Sequence, residues 1–217
     1  MSPLERLVGD AERLGITLPE QDAARLMRLL DELERWNRAY NLTAIRQRDE
    51  MLTHHILDSL AIHSDLQGVT VADVGTGAGF PGLPLAVVNP SRRFTLIDSN
   101  GKKVRFVSHA ARVLKLANVE AVHGRVESST PDTPFDTVIT RAFAALPELL
   151  AKVAPLCGPL TRVLAMKGRW PREELEALPA GWRVASSRQI EVPGLQEARC
   201  VLTINTSRHP EPLVQHP

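Results

Sequence analysis

The chain has 217 residues, 43% of them apolar, and a net charge of +1, which suits one large α/β domain or a domain with an extension. That balance excludes a globally basic nucleic-acid binder. No apolar run reaches the length of a membrane span, and the N-terminus lacks a signal-peptide pattern, so a cytoplasmic protein with no membrane partner is expected.

Residues 4–14 read as an amphipathic helix stopped at Gly15. Thr17-Leu18-Pro19-Glu20 reads as a capping box, with Thr17 the cap and Glu20 reaching back. Ala23, Leu26, Met27, Leu30, Leu33 and Trp36 then recur at helical spacing up to Tyr40-Asn41. Asp49 is the expected cap of a third helix running to His63, with Leu52, Ile56 and Leu60 as its apolar stripe and His55 and Ser59 alongside. Asp58 is expected to cap or pair within this helical region. Residues 1–66 are thus predicted to be a helical extension, 67–206 the main domain and 207–217 a frayed tail.

Strands and helices alternate from Val69 onward. Strands are predicted at 69–74, 93–98, 119–122, 135–140 and 161–166. Helices are predicted at 81–88, from a cap at Ser99 or Asn100 to Leu116, within 142–156 and at 171–178. Two last strands, 182–191 and 199–205, have no helix between them. The pattern predicts an α/β fold with a doubly wound, mostly parallel seven-stranded sheet, finished by an antiparallel hairpin. Cys157 and Cys200 lie far apart and outside any metal-ligand spacing, so two reduced cysteines and no metal are expected.

The informative stretch is Asp73-Val74-Gly75-Thr76-Gly77-Ala78-Gly79-Phe80-Pro81-Gly82. A strand, a glycine-rich turn and a helix N-terminus describe a nucleotide-type pocket at the carboxyl end of a parallel strand. Gly77 to Gly82 matches the dinucleotide fingerprint literally, and Asp98 follows at about the right distance to take a ribose. A nicotinamide-dependent oxidoreductase is therefore one reading. Asp73 points elsewhere: a carboxylate before the first glycine repels a pyrophosphate and suits a cationic amino group. A ligand with a ribose, an adenine and a cationic amino-acid end is S-adenosylmethionine. Asp73 would then hold its amino group directly or through water, Gly75, Gly77 and Phe80 would pack against it, and Asp98 would take its ribose hydroxyls.

Residues 1–66 carry 8 Lys/Arg and 12 Asp/Glu, and the remainder 18 and 13. Residues 92–115 hold Arg92, Arg93, Lys102, Lys103, Arg105, Arg112 and Lys115 against Asp98 alone, and 162–172 hold Arg162, Lys167, Arg169 and Arg172 without an acid. Two such clusters suggest a local polyanion surface, or solvated helix faces.

The Asp73-to-Gly82 stretch resembles that of the bacterial 16S ribosomal RNA guanine-N7 methyltransferases, the glucose-inhibited division protein B family. Further agreement comes from Asn41-Leu42-Thr43, His55-Ile56-Leu57-Asp58-Ser59, Leu96-Ile97-Asp98-Ser99 with Lys102-Lys103, and Arg125-Val126-Glu127 with Phe135-Asp136 and Arg141-Ala142-Phe143. The resemblance covers about residues 20 to 205 in one register. It departs only slightly, with Ala78 where proline is common and Phe80 where leucine also occurs. It implies a class I, Rossmann-like methyltransferase sheet with an N-terminal helical extension. It also implies methyl transfer from S-adenosylmethionine to N7 of a single guanine in 16S ribosomal RNA. On it, Gly75 and Phe80 contact the cofactor, Val126 and Glu127 flank the adenine, and Arg141 lines the transfer pocket and touches the cofactor.

Guanine N7 carries a lone pair and no proton, so no general base is needed; positioning is the task. Arg141 and Lys167 are the candidates to orient guanine through O6. His55 is a further RNA-binding candidate, and Lys102, Lys103 and Arg105 would meet phosphates at the pocket mouth. The expected partner is 16S ribosomal RNA, the small subunit or an assembly intermediate, met by a monomer. A non-catalytic RNA-binding module with the same fold is the remaining alternative.

Overall fold

The computed structural model describes residues 2–129, 131–141 and 144–207. The expectations placed on Ala142 and Phe143, and on the tail from residue 208, lie outside these residues.

Helix α1 (Pro3–Arg13) opens with a capping box: the Glu5 amide donates to Ser2 Oγ at 3.2 Å, and the Ser2 amide donates to the Glu5 carboxylate at 2.7 Å. The box expected at Thr17 does not form. Helix α2 (Glu20–Tyr40) has Pro19 at its cap position and no side-chain cap. Thr17 lies two residues before that cap, too early to reach the first free amides. The third predicted helix is also different from expectation. Helix α3 (Arg48–Met51), with Gln47 rather than Asp49 at its cap position and no side-chain cap, passes into a π-helical segment, Leu52–Leu57, then α4 (Asp58–Leu60) and a 3-10 turn, His63–Asp65. Here the Thr53 and Ser59 hydroxyls donate to the carbonyls of Asp49 and His55, four residues back. Such bonds compete with the regular helical ladder.

Among the described residues one sheet contains β1 (Thr70–Val74), β2 (Arg93–Asp98), β3 (Val119–His123), β4 (Thr137–Arg141), β5 (Arg162–Lys167), β6 (Trp182–Ile190) and β7 (Arg199–Thr206). Their order is β3-β2-β1-β4-β5-β7-β6. The first five run parallel, and β7 is antiparallel to both neighbours. Strand order reverses between β1 and β4, the place where open α/β sheets open a crevice for ligands. Asp136 anchors this junction: it accepts from the Val69 and Thr70 amides at 2.8 and 2.9 Å and from Thr70 Oγ1 at 2.9 Å.

Side chains alternate across the strands and build a core on each face. Val71, Phe94, Leu96, Ile139, Leu164, Met166 and Val201 face α1, α2, the 48–60 segment, α5 (Gly82–Val88) and α6 (Gly101–Val113). Ala72, Val74, Val138, Val163, Ala165, Leu202 and Ile204 face α7 (Leu146–Val153). The first core is continuous. Leu7, Leu26, Leu30 and Ile56 from the N-terminal helices belong to the same buried cluster as Leu83 and Phe106 beside the sheet.

Candidate active site

Two cavities open at the carboxyl ends of the parallel strands. The first, of about 370 Å³, lies over β1, β2 and β3. Its wall runs from Val74 and Gly75 through Ile97, Asp98 and Ser99 to Gly124-Arg125-Val126-Glu127, with Lys103 and Lys152 at the sides. Gly75 and Gly77 have φ of 69° and 62°, left-handed values that favour glycine. The amides of Gly75 and Thr76 donate to the Ile97 carbonyl, which fixes the turn against β2.

Asp98, at the end of β2, is almost buried. Its Oδ2 accepts from the Gly77 amide at 2.8 Å and its Oδ1 from the Asn100 amide at 2.8 Å. Each carboxylate oxygen can accept more than one hydrogen bond, so lone pairs remain for hydroxyl groups in the cavity. Asn100, the better of the two expected caps, accepts from the Lys102 and Lys103 amides and starts α6. Lys103 thereby faces the cavity, whereas Lys102 and Arg105 lie on the exposed surface of α6. Val126 is buried in the wall, and Glu127 stands exposed at the rim, 3.7 Å from Lys152.

Asp73 is fully buried and sits behind the cavity wall rather than on it. Its Oδ2 accepts from Thr76 Oγ1 at 2.6 Å and from the Gly82 amide at 2.8 Å, closing the turn onto α5. Its Oδ1 is buried with no partner among the described residues. Burial pushes the carboxyl up to about 6, against the opposing pull of these two hydrogen bonds. A Cβ at Gly82 would stand 2.7 Å from Asp73 Oδ2 and 2.8 Å from Leu96 Cγ, so only glycine brings its amide this close. This argues against the dinucleotide reading, because the amide that begins α5 is already taken by a carboxylate.

The second cavity, of about 410 Å³, lies over β4 and β5 beneath the 48–60 segment. His54, His55, Asp58, Arg141, Met166, Lys167 and Arg199 line it. Asp58 is buried and holds two cations, Arg141 NH1 at 3.0 Å and Arg199 Nε at 3.2 Å. The same Arg141 nitrogen donates to the His54 carbonyl at 2.9 Å. Asp58 therefore pairs across to β4 and β7, not within the helical region as expected. A carboxylate set in the apolar run Ile56 to Ala61 must be matched by cations from elsewhere. That was a usable signal, but nothing local identifies Arg199 as the partner, and Arg199 was missed.

Arg141 Cζ lies 6.0 Å from the Phe80 ring centre, and the His55 ring stacks on Phe80 at 4.6 Å and 16°. Phe80 thus ties the glycine-rich turn to the helical region. His55 Nε2 shares a hydrogen bond with Thr43 Oγ1 at 3.0 Å. Burial, with the positive charge of Arg141 adding to it, lowers the imidazole to about 3, so the ring is neutral at physiological pH. Lys167 Nζ donates to the Ala144 carbonyl at 2.9 Å and pairs with Glu174 at 2.7 Å on α8 (Arg172–Glu176). The structure thus gathers Arg141, Lys167 and His55 in one cavity and Gly75, Asp98, Val126, Glu127 and Lys103 around the other.

Known proteins resemble the chain along most of its length. The family model described as GidB, rRNA small subunit methyltransferase G, matches residues 22–203. A ribosomal RNA small subunit methyltransferase G of Pseudomonas paraeruginosa is 46% identical over 202 residues, covering 92% of this chain and 94% of that protein. A SAM-dependent methyltransferase from Aquifex aeolicus has the same fold, with a TM-score of 0.54 and 24% identity over 72% of this chain and 93% of that one. One from Thiobacillus denitrificans, solved with S-adenosyl-L-homocysteine, gives a TM-score of 0.53 and 13% identity over 69% and 90%. A fold with its crevice at the β1–β4 reversal, and a match spanning the turn, both cavities and the hairpin, lead to one conclusion: the chain belongs to the rRNA small subunit methyltransferase G family.

Proposed function

We propose that the chain transfers the methyl group of S-adenosylmethionine to N7 of a guanine in small-subunit ribosomal RNA. The observation that carries this is the pairing of the two cavities. One is walled by Asp98 and the glycine turn, the other by Arg141, Lys167 and a neutral His55, and the same turn reaches the first through Gly75 and the second through Phe80 against His55 and Arg141. Family membership supports both the donor and the class of acceptor.

The residues fit the cofactor. Asp98 keeps acceptor capacity where a ribose would lie, Val126 offers an apolar surface to an adenine, and the unpartnered Asp73 Oδ1 suits a cationic amino group reached through water. When bound, S-adenosylmethionine supplies an electrophilic methyl on a positively charged sulfur.

The protein's own part is placement. N7 attacks with a lone pair that no proton occupies, so no side chain has to remove one. Arg141 is held by Asp58 and the His54 carbonyl, which keeps its remaining N–H groups in a fixed direction to meet guanine O6. Lys167 shares its ammonium with Glu174 and Ala144 and is the second O6 donor. The positive charge of the product ends on the guanine ring, against the uncharged face of His55. Lys102 and Arg105 extend a basic surface for phosphates. The same reading has the chain act as a cytoplasmic monomer, on naked RNA, on the subunit or on an assembly intermediate.

The test uses purified protein, methyl-labelled S-adenosylmethionine and small-subunit ribosomal RNA. Label in N7-methylguanosine, lost with Gly75→Asp, is expected. Binding of NADH with no binding of S-adenosylmethionine overturns the proposal.

A further inference from the structure

Between the loop that follows β5 and the β6–β7 connection lies a third cavity, of about 570 Å³. Trp170 stands on its wall with 51% of its surface exposed. Gly168 and Arg199 belong to the walls of both this cavity and the one that holds Arg141 and Lys167, so the two adjoin. The ring stands half in water beside the cavity of Arg141 and Lys167, where its face is open to a ligand.

Its mounting is firm. The Arg172 amide donates to the Trp170 carbonyl at 3.1 Å, Cys200 Sγ donates to the Arg169 carbonyl at 3.7 Å, and Pro171 is buried. Arg169 and Arg172 stand one position before and two after the ring in the chain, both exposed and in no ion pair among the described residues. Glu191 and Glu197 also line the cavity, offset there by Arg13 and Arg199. An exposed planar ring on a segment that carries two exposed arginines has the chemistry of a nucleotide platform: the base stacks on the ring and the phosphates meet the cations.

We infer that Trp170 stacks an unpaired nucleobase adjacent in the strand to the target guanine, with Arg169 and Arg172 taking its phosphates. This rests on the methyl-transfer reading above. A guanine reaches a pocket only when splayed from its stack, and its neighbour then loses a stacking partner. Trp170 replaces that partner one cavity away from the reacting base.

The experiment compares Trp170→Ala and Trp170→Phe with the wild type, in kinetics and in tryptophan fluorescence. Trp170→Ala is expected to raise KM for the RNA by roughly tenfold or more, the loss of one base–aromatic stack, with kcat and S-adenosylmethionine affinity unchanged. Trp170→Phe restores most of the KM. An unstructured oligoribonucleotide quenches indole emission in the wild type, and that quenching disappears in Trp170→Phe although its KM is nearly normal. An unchanged KM in Trp170→Ala, or quenching that persists in Trp170→Phe, overturns the inference. A Trp170→Ala protein that melts early and loses kcat with no change in KM also overturns it, since the ring is then structural. Quenching by the oligonucleotide in a wild-type protein that methylates no RNA removes the methyl-transfer reading while sustaining the platform.

Discussion

Asp73 closes the glycine turn by accepting from Thr76 and Gly82, and it does so while fully buried. Its carboxyl titrates near 6 in the folded chain, above the ordinary 3.8, so the folded state binds this proton more readily than the unfolded one. Stability from this group is therefore present below about pH 4 and falls as pH rises through 6, by up to about 3 kcal/mol. Asp73→Asn keeps an oxygen for both donors and cannot ionise. Denaturant midpoints of the variant and the wild type should therefore diverge in the variant's favour between pH 4 and pH 6.5. A difference that does not change with pH removes this account. His55 is shifted in the opposite direction by the same cause, and its neutrality lets it stack on Phe80 beside Arg141 without two cations meeting.

At the scale of elements, a buried carboxylate joins two helices. Glu32 on α2 meets Arg28 at 3.1 Å, Arg35 at 2.5 Å and His109 of α6 at 2.8 Å. Both arginines are largely exposed and can return to water, so Glu32→Ala should cost about 1–3 kcal/mol rather than the larger amount for a wholly buried pair. A chemical denaturation midpoint lowered by that amount checks it, and an unchanged midpoint refutes it. Such pairs also mark what sequence reading can reach. Strands 93–98 and 199–205 were recognisable because alternation and apolar runs are local signals. The π-helical turn at Leu52–Leu57 was not, because its composition is that of any amphipathic helix. Thr17 misled because a capping box is a pattern of residue types, and the cap fell at Pro19. The acid-ended strand and its glycines marked the turn that walls the first cavity. The second cavity rests on Asp58 meeting Arg141 and Arg199, 83 positions away in the first case, and no periodicity records such a contact.

The whole molecule has one core above the sheet, shared by the N-terminal helices and the strands. Leu26, Leu30 and Ile56 cover the same face as Leu83, Phe94 and Phe106. A fragment of residues 67–217 would expose that apolar face, so it should show no cooperative thermal transition by circular dichroism, whereas the full chain melts in one step. A sharp melt in the fragment would show that the helices are a dispensable cover. The shared core has a bearing on turnover in the cell. A chain cut between its helices and its sheet should lose both cavities together. No half-molecule with one working cavity is then expected to survive, and damage should leave debris for proteases rather than a competitor for the intact protein.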